Sequence, residues 1–148
     1  MRFAWVGAVL FAVGCAGPSA QLRGGLRGDD LLKVARGQIG APYRYASADP
    51  DKGFDCAGLV WYSFKKLGVS VPRSTSALFM EGSKVSSKKL LPGDLVFYDI
   101  VGGGVSHVGI YSREGHMVHA PSTGGKVSEV DIGIRYWTKR YAGARRLD

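Results

Sequence analysis

Cysteine is scarce in this chain: of 148 residues only Cys15 and Cys56 carry a thiol. That excludes a scaffold stapled by several disulfides and leaves at most one bridge. Histidine is scarcer than most polar residues, with only His107, His116 and His119. Any chemistry that needs an imidazole therefore has few candidates. Acidic side chains are outnumbered, 12 against 20 basic ones, for a net charge of +8. Such a balance favours an anionic partner: nucleic acid, a lipid surface or an acidic polymer. The Lys and Arg residues are scattered, with short clusters at Lys65-Lys66, Lys88-Lys89 and Arg145-Arg146. No recognition helix or aromatic platform accompanies them, so no nucleic acid is expected as a partner. What is present in ordinary amounts, 45% hydrophobic and 22% charged residues, fits one globular domain with a substantial core.

The N-terminus reads as an export signal. Met1-Arg2 precedes an apolar run from Phe3 to Val13, and small residues follow. That run is too short to span a bilayer as a mature helix. Ala12-Val13-Gly14-Cys15 resembles a bacterial lipoprotein signal, with Ala12 where Leu is usual. The resemblance implies residues 1–15 as signal peptide ending at Cys15, which becomes the lipid-bearing residue. Ordinary cleavage after Ala16 or Ala20, giving a secreted protein, is the alternative. Residues 16–28 are aperiodic and Gly-, Ser- and Arg-containing, and are expected to form a flexible tether. The domain is expected over 29–148. A disulfide is the simplest use of two exported cysteines. If Cys15 is cleaved off or lipidated, Cys56 has no partner and a functional thiol becomes the better reading.

Helices come first along the chain. Asp29 to Ile39 has Leu31, Leu32, Ala35 and Ile39 at helical spacing, with Asp29 as N-cap. Gly40 and Pro42 stop it, Tyr43-Arg44-Tyr45 is short and extended, and 46–53 is a loop. A second helix is expected from Cys56 to Leu67, with Asp55 as N-cap, Leu59, Val60, Phe64 and Leu67 inside and Gly68 after it. Ser74 caps a third, through Met80, and 84–89 is a polar loop. From Pro92-Gly93 the period changes to that of strands: 94–99, 106–112, 116–120, 126–131 and 141–147. The glycine loop 101–105 lacks the Lys-Ser/Thr and the following helix of a phosphate cradle. An aromatic turn, Tyr136-Trp137-Thr138, precedes the last strand. The order predicts an α+β domain.

Cys56 opens a helix, where free backbone N–H groups and the helix dipole stabilise a thiolate, the nucleophilic form. A nucleophile needs a base, and the base an orienting group. Hairpin geometry sorts the histidines. If Arg113-Glu114-Gly115 is a three-residue loop, a type I turn with Gly115 left-handed, Ser112 faces His116 and Gly109 faces His119. His107 and His119 then share a face as diagonal neighbours, roughly 7–8 Å apart at the backbone. A two-residue loop would put them on opposite faces. His116, beside the turn, is also assigned to that face and is expected to be solvated. In this reading His107 is the base for Cys56, and His119 accepts the ring N–H of His107. The same three side chains could instead ligate zinc with an open fourth position. The close ligand pairs usual in zinc sites are missing, so neither metal nor cofactor is expected.

Five segments, 55–60 (Asp-Cys-Ala-Gly-Leu-Val), 72–75 (Pro-Arg-Ser-Thr), 92–96 (Pro-Gly-Asp-Leu-Val), 107–111 (His-Val-Gly-Ile-Tyr) and 118–120 (Val-His-Ala), occur in this order. Together they resemble the NlpC-type peptidoglycan endopeptidases, papain-like cysteine hydrolases of bacterial envelopes. The resemblance runs from about Leu31 to Arg146, nearly the whole of the domain. It implies a reduced papain-like fold, N-terminal helices packed on a C-terminal antiparallel sheet. It implies hydrolysis of amide bonds in peptidoglycan stem peptides through an acyl-enzyme, with Cys56 as nucleophile, His107 as base and His119 as third member. It also implies Tyr43 as the active-site tyrosine, whose hydroxyl would join the Cys56 N–H in stabilising an oxyanion; Tyr45 is its rival. Ala57 departs from the family's usual Ser. The loops 46–53 and 101–105 would shape the pocket that selects the bond. The expected protein is a monomer, lipid-anchored in the bacterial periplasm at the outer membrane or else secreted. A catalytically idle peptidoglycan-binding module of the same fold is the competing reading.

Overall fold

The computed structural model describes residues 17–148. The signal peptide and Cys15 lie outside the described residues. Segment 17–28, expected to be a flexible tether, is packed onto the domain from Ser19 onward. Ala20 and Leu22 are buried in the main core. The Ala20 N–H donates to the Pro92 carbonyl at 2.9 Å, and the Arg23 N–H to the Leu147 carbonyl at 2.8 Å. Two apolar side chains among glycines and polar residues give no periodic signal, so composition alone concealed this docking.

Helix α1 spans Gly28–Arg36, starting one residue before the expected helix. Its N-cap is Arg27, not Asp29, and the Asp30 carboxylate accepts the Arg27 N–H at 3.2 Å. Leu31, Leu32 and Ala35 are buried as their spacing requires, but Ile39 lies beyond the helix end and is 49% exposed. The loop expected over 46–53 holds a small antiparallel hairpin, β1 (Ala48–Asp49) with β2 (Gly53–Phe54). Helix α2 is Cys56–Lys66. Asp55 caps it, accepting the Gly58 N–H at 2.6 Å, and Gly68 beyond its end has φ 82°. Leu59, Val60 and Phe64 are buried, while Leu67 is half-buried against the same core. Each fully buried side chain of this size stabilises the fold by about 1.5–3 kcal/mol. Helix α3, Thr75–Leu78, starts where Ser74 accepts the Ala77 N–H, and is shorter than expected, leaving Met80 82% exposed.

The other strands form one antiparallel sheet. They are β3 (Ser83–Lys84), β4 (Leu95–Tyr98), β5 (His107–Tyr111), β6 (His116–His119), β7 (Ser128–Asp131) and β8 (Tyr141–Arg146), in spatial order β3-β8-β4-β5-β6-β7. The short edge strand β3 falls at the start of a stretch read as polar loop. A one-turn helix α4, Arg135–Thr138, carries the aromatic turn. Leu95, Phe97, Val108, Ile110 and Val118 face α1 and α2 and form the main core with them. On the opposite face Val96, Tyr98, Met117 and Ala144 pack around Trp137. Helices α1 and α2 on one face of an antiparallel sheet give the α+β papain-like arrangement expected from the sequence.

The β5–β6 hairpin has the expected register: Ile110 pairs with Val118 and Tyr111 with Met117, and the Ser112 N–H donates to the His116 carbonyl at 2.9 Å. The turn differs in type, because Glu114 (φ 58°) as well as Gly115 (φ 71°) is left-handed. Two left-handed residues replace the type I turn while the loop length, which sets the register, is kept. Strand alternation also corrects His116. It lies three residues from His119, so it falls on the other face, and its Nδ1 bonds the Glu114 carbonyl at 2.9 Å.

Candidate active site

Cys56 sits where α2 begins, at the end of the sheet. Its Sγ lies 3.5 Å from Thr75 Oγ1 and 3.9 Å from the carbonyl oxygen of Ser106, the residue before β5. It is a free, half-buried thiol. Asp55 fixes this helix start from two sides, capping the helix and accepting both guanidinium NH groups of Arg73 at 3.0 Å.

The two histidines project from β5 and β6 on the Trp137 face. His107 Nε2 and His119 Nδ1 are 2.8 Å apart, and both residues are buried, 8% and 3% exposed. One proton is shared between these nitrogens. With His119 as acceptor, His107 Nε2 carries the proton and His107 Nδ1 is left as a free base. Trp137 stacks on the His107 ring at 5.6 Å, nearly parallel, and meets His119 edge-on at 5.2 Å. Burial lowers the pKa of His107 well below the usual histidine value, with the nearby His119 adding to the shift. Burial lowers that of His119 too. Both rings are therefore neutral at neutral pH.

This neutrality has a measurable consequence. The unfolded chain binds protons at each histidine below about pH 6.5, whereas the folded chain does not until far lower pH. Stability must therefore fall as pH drops below 6.5, by at most about 1.4 kcal/mol per pH unit per histidine. Urea midpoints taken at pH 7.5, 6.5 and 5.5 should decline across the lower interval; a flat series would contradict the buried neutral pair.

Two cavities of about 430 Å³ each meet at Cys56. Tyr43, Cys56 and Ser106 line both. One side is polar, with Asp55, Arg73 and Thr75 in its wall. The other holds His107 and His119, with Ile100, Val101, Pro121 and Trp137 around them. Cys56, His107, His119 and Tyr43 thus share one cleft. Tyr43 is half-buried, and burial together with the neighbouring Cys56 raises its pKa, so its hydroxyl stays protonated. Tyr45 lines only the polar side and is 85% exposed. Ala57, 3% exposed, packs its methyl into the core. Among the described residues no group of three or more His, Cys, Asp or Glu side chains is arranged to hold a metal ion.

Nothing local in the sequence gives Arg73, Thr75 or Trp137 a part in the site. Arg73 and Thr75 come from a segment distant in sequence from Cys56, and the Trp137 ring reaches the histidines from α4. Only the flanking Pro72-Arg73-Ser74-Thr75 motif could have pointed to the first two.

The sequence pattern of the NlpC/P60 family matches residues 40–146. The chain is 37% identical over 114 residues to the murein DD-endopeptidase MepH of Escherichia coli (strain K12), covering 74% of this chain and 42% of that protein. It is 36% identical over 121 residues to the bifunctional muramidase/DL-endopeptidase CwlT of Bacillus subtilis (strain 168), covering 80% of this chain and 36% of that one. The structure of an NlpC/P60 family protein from Bacillus cereus ATCC 10987 superposes with a TM-score of 0.77 at 31% identity, over 88% of this chain and 41% of that one. The chain spans less than half the length of each of these relatives. With the family pattern over most of its length and a papain-like sheet and Cys helix to match, the chain belongs to the NlpC/P60 family.

Proposed function

We propose that the protein is a cysteine endopeptidase that hydrolyses amide bonds in peptidoglycan stem peptides. The observation that carries this reading is the placing of Cys56 between two open half-clefts, one of which holds the hydrogen-bonded His107–His119 pair. An endopeptidase must bind peptide on both sides of the scissile bond, and a nucleophile at the divide meets that need.

In this mechanism His107 Nδ1 takes the thiol proton and Cys56 Sγ attacks the amide carbon. The tetrahedral oxyanion is stabilised by the Cys56 N–H and the protonated hydroxyl of Tyr43. His107 then gives its proton to the leaving amine, and a thioester to Cys56 remains. Water, deprotonated by His107, hydrolyses it and frees the thiol. His119 is a positioning residue: it accepts the His107 Nε2–H, fixing tautomer and ring orientation. MepH and CwlT are named for DD- and DL-endopeptidase activities, so the family supports the substrate class rather than one bond.

The same proposal has residues 1–15 direct export and Cys15 carry a lipid, holding a monomeric enzyme at the outer membrane in the periplasm; plain secretion is the alternative. No helix among the described residues is long and apolar enough to cross a membrane. A Cys15→Ala variant that still partitions into detergent like the wild type would contradict the anchor.

Purified muropeptides incubated with the protein test the activity. Mass spectrometry should show stem peptides cut with the glycan intact. Cleavage should survive a chelator and stop on alkylation of Cys56. Intact muropeptides would favour the idle binding module, and loss of cleavage on chelation would favour metal chemistry.

A further inference from the structure

Cys56 Sγ is held between two oxygens of different character. The Ser106 carbonyl, 3.9 Å away, can only accept a hydrogen bond. The Thr75 hydroxyl, 3.5 Å away, can accept or donate. The two oxygens are therefore not equivalent once the sulfur loses its proton. As a thiol, S–H can point at either oxygen. As a thiolate, the sulfur repels the lone pairs of the Ser106 carbonyl and gains only from a donor.

From this asymmetry we propose that Thr75 is a further catalytic residue, whose hydroxyl donates to the Cys56 sulfur and stabilises the thiolate when the proton leaves for His107. The inference rests on the reading of Cys56 as the nucleophile. The proton balance is simple: Sγ–H breaks, the electron pair stays on sulfur, the proton goes to His107 Nδ1, and Thr75 Oγ1–H turns to the sulfur.

The fold holds Thr75 in place for this. It is the first residue of α3, directly after the N-cap Ser74, and its carbonyl accepts the Phe79 N–H at 3.0 Å. Arg73, two residues earlier, is tied through both nitrogens to Asp55, the residue that caps the Cys56 helix. The ion pair thus joins the start of α2 to the segment that delivers Thr75. A β-branched side chain on a helix also has few χ1 choices, so the hydroxyl is positioned at small entropic cost. His107 remains the base. Thr75 acts on the same sulfur from the polar half-cleft, whose wall it forms.

The test needs no peptidoglycan. The full chain is treated with iodoacetamide from pH 5 to 9, and the rate is read by mass spectrometry on the peptide carrying Cys56. Thr75→Val keeps the shape and removes the hydroxyl. It should slow alkylation at pH 7 several-fold and move the rate profile to higher pH, while thermal unfolding stays near the wild-type midpoint. Thr75→Ser should restore the wild-type profile. If the valine variant does not fold, Thr75→Ala replaces it with the same expected loss. Thr75→Val alkylating like the wild type at every pH, or Thr75→Ser being as slow as valine, would overturn the inference. If the wild type leaves muropeptides uncut, the proposed function fails, yet the alkylation comparison still reads the hydroxyl's action on the sulfur.

Discussion

Cys56→Ala should remove peptide hydrolysis while leaving the fold intact. Attack on the amide carbon and the thioester both require the sulfur, and no other thiol lies in the described residues. In triad hydrolases, loss of the nucleophile costs about 10⁶-fold in kcat, and little remains beyond binding and oxyanion stabilisation. A loss of at least about 10⁴-fold is expected here. The thiol is half-buried and makes only long contacts to oxygen, so the unfolding midpoint should barely move. His107→Ala should cost a similar factor, and the double variant no more than either alone, because the two groups act as a unit. His119→Asn should fare better than His119→Ala, since an amide oxygen can still accept from His107 Nε2. Steady-state rates on purified muropeptides read the whole series. Independent, additive losses would argue against a single coupled machine.

Arg146→Met should cost much of the fold's stability, although this side chain is partly exposed. Asp94 immediately precedes β4 and is fully buried. Its carboxylate accepts Arg146 Nε and a second guanidinium nitrogen at 2.7 Å each, and the Leu91 N–H at 2.8 Å. The bond to Asp94 raises the already high pKa of Arg146. The pair ties β8 to the turn before β4, near the point where Ala20 docks on Pro92. Removing the arginine strands a carboxylate in the interior, a defect worth about 3–5 kcal/mol. Arg146 is partly open to solvent, so about 3 kcal/mol is expected, a large share of a small domain's total stability. Asp94→Asn combined with Arg146→Met should recover part of it, because the buried charge is gone. Urea unfolding of the two variants beside the wild type measures both effects. A single variant within 0.5 kcal/mol of wild type, on the order of an ordinary surface change, would refute the assignment.

Local chemistry made the Cys56 helix and the histidine hairpin legible in the sequence. Asp55 caps α2 because a short carboxylate can accept a backbone N–H at a helix start, and that rule needs no tertiary information. His107 and His119 meet because loop length fixes register and register fixes faces. The alternation rule also contained the correct position of His116, which the turn-side reading misassigned. Other features depend on partners far along the chain. The docking of Ala20 and Leu22, the pairing of β3 with β8 and the Asp94–Arg146 bond have no periodic signature. The hairpin β1–β2 was hidden by its Asp, Pro and Gly residues, which mark turns more strongly than so few residues mark strands. Within the site, Trp137 against His107 and Thr75 beside Cys56 became visible only once the sheet and the helices were assembled.

Partitioning with hydroxylamine tests most directly whether the reaction passes through a thioester on Cys56. A thioester is intercepted by an added nucleophile after the amine has left. Muropeptide digests with rising hydroxylamine should give peptide hydroxamates in growing proportion to free carboxylates, and none with Cys56→Ala. Carboxylate products alone at every hydroxylamine concentration, or cleavage by Cys56→Ala at the wild-type rate, would contradict covalent catalysis by this thiol.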